Sequence, residues 1–411
     1  MDEFSIPSQV LQTLNAAVQA CGVSGFALVG GAVRDGLLHH QRQDPPRELP
    51  DLDFVMEGEA EVVARHLQEV CGEIRVRDLL VHSAYRTAEL VLDGVRIDLA
   101  SARQEHYPAP GLNPVVEPGT LETDLARRDF TVNAMALKLP QMQLLDLHCG
   151  QEDLAKGQLA FLHEFSLADD PTRVVRASRY AARLGFRLAP DALTQIATTL
   201  ESWPWGWSVG DQPGQAPPAL ATRMRMELEL LFEEDSWSKA LAHLQSWRAL
   251  LLLDPALQQE LHLHRRMQRA KRLGLPLLMA LIAGASDPTA LSARLQLPQK
   301  QQRQIEQLQL LLRWLEEELP EASRNWGPAE WSEALEARHL FPELAAHAVC
   351  LLASKPLRTH LWKPLLRWWG RWRHLQAPLT ARELIAQGWH PGPEIGQELQ
   401  RLRRERLMIA R

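Results

Sequence analysis

The apolar residues of this chain change their spacing near residue 150, and that change decides most of what it can fold into. Before it, short runs such as "FALVG" (26–30), "LDFVME" (52–57), "AELVLDG" (88–94), "VRIDLAS" (95–101) and "MQLLDL" (142–147) read as strands. They are separated by stretches at helical spacing: "SQVLQTLNAAVQACGVS" (8–24), "AVRDGLLHH" (32–40) and "EAEVVARHLQEVCG" (59–72). Asp93-Gly94 is a hairpin turn between two of the strands. From about 152 onward the apolar period is helical and no strand is expected. One break, "WPWGWSVGDQPGQAPPA" at 203–219, reads as a loop or insertion. The expectation is an α+β head followed by an all-helical remainder.

With 411 residues, 45% of them hydrophobic, core material is ample. No apolar run reaches the length of a membrane span, and "MDEFSIPSQV" lacks the features of a signal peptide, so a cytoplasmic setting is expected. Cys21, Cys71, Cys149 and Cys350 lie far apart without CxxC spacing and read as ordinary thiols. The net charge of −6 excludes a bulk polyanion binder. From residue 361 to the end, however, ten Lys or Arg stand against four Glu and no Asp, a local asymmetry that suits a phosphate backbone. The Trp/Leu stripe in "LWKPLLRWWGRWRHL" reads as core.

The head carries the chemistry. Asp51 and Asp53 are two apart on an expected strand, so both face one way. Such a pair is tolerable with a hard cation between its oxygens, and Mg²⁺ suits carboxylates plus substrate phosphates. Gly30-Gly31, between strand and helix, lets backbone N–H groups approach an anion at a helix N-terminus. Arg34, one turn in, is placed to reach a phosphate oxygen. Asp98 adds a third carboxylate if its strand runs beside the first two. Asp170 and Arg173, three apart, are expected on one helix face.

In order, "LVGGAVRDGLL", "DLDFV", "LARRDFTVNAMAL" and "ADDPTRVVRASRYAARLGF" resemble the motifs of the class II tRNA nucleotidyltransferase and bacterial poly(A) polymerase family. "LTARELIAQGWHPGPEIGQELQRL" resembles that family's C-terminal segment more weakly. The resemblance implies a polymerase-β-like nucleotidyltransferase head with a mixed sheet (1–150), a helical neck that recognises the base (151–240), and a helical body and tail that bind tRNA (241–411). It implies Mg²⁺-dependent, template-independent addition of CMP and AMP from CTP and ATP to a tRNA 3′ end, with no membrane and no obligate protein partner.

By that resemblance Asp51, Asp53 and Asp98 are catalytic, with Asp51 and Asp53 holding metal. Gly30, Gly31, Arg34, Arg128, Asp129 and Asn133 hold the nucleotide, Asp129 by accepting from a ribose 2′-hydroxyl. Asp170, Arg173 and Arg176 select the base. Arg401, Arg403, Arg404 and Arg406 are expected on the RNA backbone. "TRMRMEL" departs from the family in carrying Thr222 for a Glu. The segment from Ala100 to "LARRDFT" resembles the flexible loop of CCA- and A-adding members, which sets CC-only addition aside, and a poly(A)-type "GRRFxLxH" stretch is missing. The order is therefore CCA addition, A addition, poly(A) synthesis. A catalytically inactive RNA-binding protein is held open, though the retained aspartates argue against it.

Overall fold

A computed structural model describes residues 6–42, 51–201, 218–354 and 358–410. The chain forms two compact units, residues 1–204 and 205–411. The insertion expected at 203–219 lies outside the described residues except for its last two, which open the helix Pro218–Glu233.

The first unit is built on a seven-stranded mixed sheet. Its strands are β1 (Ser24–Val29), β2 (Leu52–Glu57), β3 (Val76–His82), β4 (Thr87–Leu92), β5 (Val95–Ser101), β8 (Met135–Lys138) and β9 (Gln143–Asp146). The order across the sheet is β3-β4-β5-β2-β1-β8-β9. Every pairing is antiparallel except β2 with β5, which run parallel with Asp53 opposite Asp98. The β4–β5 turn has Asp93 and Gly94 at φ 50° and 86°, as a tight two-residue hairpin requires.

Helices α1 (Ser8–Ala20) and α3 (Ala60–Arg75) pack together beside the sheet. Helix α2 (Gly31–Arg42) leaves β1 through a glycine turn. A hairpin of β6 (Arg103–His106) and β7 (Val115–Pro118) leads to α4 (Leu121–Ala126), which Thr120 caps through a reciprocal bond pair with Thr123. Leu121 and Leu125 bury against Ala27, Val29, Val55 and Ala136, so α4 lies on the face of the sheet that carries Val55 and hence Asp53.

Helix α5 (Gly150–Lys156), strand β10 (Gln158–Leu159), helices α6 (Ser166–Asp169) and α7 (Arg173–Leu184), strand β11 (Arg187–Leu188) and helix α8 (Pro190–Glu201) complete the unit. The β10–β11 pair corrects the expectation of no strand beyond 152; each has two residues, too few to carry a period. Strand β3 was also not legible: it is an edge strand with a register shift between Arg77 and Leu80, so its apolar residues do not alternate cleanly.

Among its described residues the second unit is all helical, as expected. In the helix Thr359–Gly370, Leu361, Leu365 and Trp368 are buried, and Trp372 follows them, so the Trp/Leu stripe is core. Thr222 donates to Gln296 Oε1 at 2.8 Å. No helix among the described residues is long and apolar enough to cross a membrane.

Candidate active site

The site begins at the β1–α2 turn. Gly30 has φ +70°, a conformation that favours glycine. A Cβ there would stand 3.2 Å from Arg128 Nη1 and 3.5 Å from Asp53 Oδ2, so the turn, a guanidinium and a carboxylate share one point in space. Gly31 opens α2 in ordinary helical conformation.

Asp53 and Asp98 face the same side of adjacent parallel strands. Burial, the nearby Asp98 and Asp51, opposed by Arg128, push the Asp53 carboxyl up to about 6. Burial and the neighbouring Glu89 and Asp51 raise that of Asp98 as well. The negative charge here is under-compensated, and the donors are all carboxylate oxygens, a set that suits a hard cation. Asp51 differs from expectation. It precedes β2, its side chain is 60% exposed, and it lies 3.6 Å from Arg96. Among the described residues no three acidic, His or Cys side chains converge into a closed metal cage.

Arg34 stands at the same turn, its Nη2 3.5 Å from where a Cβ on Gly31 would lie. It is 2% exposed, and its guanidinium donates to Asn133 Oδ1 at 2.6 Å and to both oxygens of Asp35. The bond to Asn133 ties α2 to the segment after α4. Asn133 passes the connection on, donating to Asp129 Oδ1 at 3.1 Å. Asp129 Oδ2 accepts from Arg176 at 2.7 Å. Burial works to raise the Asp129 carboxyl, but the Arg176 charge and the bonds from Asn133 and Arg176 outweigh it and hold the group below the usual range. Arg176, expected among the base-selecting residues, is thus the partner of the residue expected to touch the ribose. The guanidiniums of Arg34, Arg176 and Arg183 all lie within 6 Å of the Tyr180 ring centre, at 5.2, 5.9 and 4.6 Å.

Asp170 and Arg173 do not share a helix face. Asp170 follows α6 in extended conformation and its carboxylate accepts from the N–H and hydroxyl of Thr172, while α7 begins only at Arg173. The proline between them breaks the helix that their spacing suggests. The Arg173 side chain donates to the carbonyls of Arg127 and Ser166 at 3.0 and 3.3 Å. It lines a cleft of about 390 Å³ together with Arg127, His163, Phe165, Asp169 and Tyr107.

Three of the four tail arginines are paired with carboxylates, although Arg401 and Arg404 remain about half exposed. Arg401 pairs with Glu398 and Glu405 on its own helix, Pro393–Ile409. Arg403 makes a two-pronged pair with Glu336 at 2.6 Å, and Arg404 pairs with Glu333, both on the helix Pro328–Glu336. Arg406 donates to the Gln376 carbonyl. The local excess of positive charge is answered from about 70 residues away, which a window along the sequence does not see.

Two residues were missed. Asp124 is fully buried and bonded to Arg127 and Arg128; its i+3 and i+4 spacing to them is a readable signal. Tyr180, four beyond Arg176, gave none.

Residues 26–160 match the model of the poly A polymerase head domain. A CC-adding tRNA nucleotidyltransferase of Deinococcus radiodurans is 34% identical over 92% of this chain and 83% of its own length. An A-adding tRNA nucleotidyltransferase of Aquifex aeolicus is 35% identical over 54% of this chain, which spans only 25% of that protein. Among solved structures, an apo CCA-adding enzyme superposes with a TM-score of 0.71 at 25% identity, covering 98% of this chain and 92% of that one. A CCA-adding enzyme in complex with CTP gives 0.68, also at 25% identity and the same coverage.

Proposed function

The chain belongs to the tRNA nucleotidyltransferase family, and from that membership we propose that it adds CMP and AMP, without a nucleic-acid template, to the 3′ end of tRNA. The observation that carries the reading is the meeting of Gly30, Arg128 and Asp53 at one point, with Asp98 beside them. A glycine turn and a guanidinium suit a triphosphate, and the carboxylates suit the cation that accompanies it. Asp53 and Asp98, with Asp51 at the open end, would hold Mg²⁺. Bound there, the ion supplies charge neutralisation for a 3′-hydroxyl attacking the α-phosphorus and for the leaving pyrophosphate.

The chain's own residues do the rest. Arg128 engages the triphosphate at the Gly30 turn. Asp129, oriented by Asn133 and Arg176, accepts from the ribose 2′-hydroxyl, which a deoxynucleotide lacks. Asp170 and Arg173 read the base edge shared by C and A. In this reading residues 1–150 perform transfer, 151–240 select the base and 241–411 bind tRNA, in a cytosolic setting in keeping with four free thiols.

A second reading, addition of C residues alone, is favoured by the Deinococcus relative, which matches nearly the whole chain and is CC-adding although the loop after β5 argued against that class. The two readings part at AMP. Transcripts of tRNA lacking the whole CCA end, lacking only the final A, or complete are each given CTP and ATP, singly and together. The proposal expects all missing residues to be restored and nothing added to the complete transcript. Restoration that stops after the second C establishes the CC-adding reading.

A further inference from the structure

Asp124 is a fully buried carboxylate on α4 that answers two guanidiniums at once. Its Oδ1 accepts from Arg127 Nε and Nη2 at 2.9 and 2.7 Å, and its Oδ2 accepts from Arg128 Nη2 at 2.9 Å. Asp124 lies in the last turn of α4, and the chain leaving the helix through Arg127 and Arg128, with the Arg128 N–H donating to the Leu125 carbonyl, curls both guanidiniums back onto it. From that shared anchor the two arginines diverge. Arg127 Nη1 reaches Glu105 at 3.1 Å and lines the cleft, whereas Arg128 Nη1 stands at the Gly30 turn beside Asp53. Arg128 Nε is buried with no hydrogen-bond partner. Arg128 Nη2 is therefore anchored, while Nη1 stands at the turn where a phosphate would sit.

A guanidinium this close to Asp53 has an obvious alternative, which is to close an ion pair with it. Arg128 already acts on that carboxylate electrostatically. A competing carboxylate on the far side prevents collapse and costs little conformational freedom, since α4 is pinned to the sheet by Leu121 and Leu125. A pair serving only to hold α4 down would have no need to direct a second guanidinium at the glycine turn.

We infer that Asp124 is a positioning residue: it holds Arg128 at the Gly30 turn, free to meet the triphosphate, and keeps it off Asp53. The inference rests on the reading of Arg128 as a triphosphate ligand.

The test is a double-mutant cycle on the full chain, read by equilibrium binding of CTP, by KM and kcat, and by tRNA affinity. Asp124→Asn and Arg128→Ala should each weaken CTP binding about tenfold. The double variant should be no weaker than Arg128→Ala within a factor of two, and tRNA affinity should stay within twofold of wild type throughout. The KM for CTP should rise while that for tRNA does not. If Arg128→Ala leaves CTP affinity unchanged, the reading of Arg128 fails and the inference falls with it. If Arg128→Ala weakens CTP and Asp124→Asn does not, the inference alone is overturned. Losses that multiply to about a hundredfold in the double variant overturn it too, because Asp124 then acts by another route. Should Asn at this buried position prevent folding, Asp124→Glu keeps the charge and displaces the anchor by one methylene. It should weaken CTP while sparing tRNA, and unchanged CTP affinity overturns the inference.

Discussion

The Asp129 carboxylate and the Arg176 guanidinium meet at 2.7 Å across 47 residues of sequence, joining the segment after α4 to helix α7. Asp129 is buried, and Arg176 is its principal counter-charge. Arg176→Gln should therefore destabilise the protein at neutral pH by about 2 kcal/mol, less than a fully buried pair because Arg176 is one-third exposed. The sign with pH follows from the lowered Asp129 carboxyl. Its stabilisation is present above the ordinary carboxylate range and is lost as pH falls through the lowered folded value. The gap between wild type and Arg176→Gln in thermal midpoint should thus narrow in acid. A gap that is constant from neutral pH into acid refutes the assignment.

Asp53 has the opposite sign. Its carboxyl titrates at about 6 in the folded protein, against 3.8 ordinarily, so its ionised form opposes folding. Its contribution is most favourable below the ordinary value and is lost as pH rises through 6. In chelator, Asp53→Asn should raise stability near pH 7.5 by an amount on the order of 2 kcal/mol, with no gain near pH 4. The same variant should lose nucleotide addition by more than a hundredfold. A variant that is both less stable at pH 7.5 and active places Asp53 outside the reacting centre.

Base choice should relax when Asp170 is removed. A polar site rejects a base that leaves its groups unpaired by roughly 1–3 kcal/mol per lost bond. Asp170→Ala should lower CMP and AMP addition and raise UMP and GMP addition relative to them by about tenfold. Single-nucleotide addition with each triphosphate in turn measures this. An unaltered order of preference leaves Asp170 with a local structural role, as an acceptor for Thr172.

The tail arginines should act on stability before they act on RNA. Arg403→Ala breaks the two-pronged pair with Glu336 and should cost about 1 kcal/mol, given that both side chains are partly exposed. Affinity for tRNA and its dependence on salt should change little. A salt dependence that flattens by about one phosphate contact per arginine removed would instead assign these side chains to the nucleic acid.

The order strand, glycine turn, helix, DxD strand was legible because each piece is local, and the head and the helical remainder followed from hydrophobic period alone. The sequence-based reading failed where partners come from afar or where one residue changes the local geometry. Pro171 separates Asp170 from α7, so a spacing of three did not make a helical pair. Asp51 lies one residue outside β2 and is mostly exposed, yet it stays close enough to raise the carboxyls of Asp53 and Asp98. Glu333 and Glu336 cancel a charge run that looked open. Arg34 stands at the glycine turn as its spacing suggests, but its partner Asn133, 99 residues away, was not legible.

The single parallel pairing in the sheet, β2 against β5, has a kinetic consequence. All its neighbours in the β3-β4-β5 meander close through short turns, whereas aligning Asp53 with Asp98 requires a loop of 45 residues to close first. Long-range parallel pairing forms slowly. During refolding the meander should acquire protected amides early, and the capacity to capture a nucleotide should return only after that loop has closed.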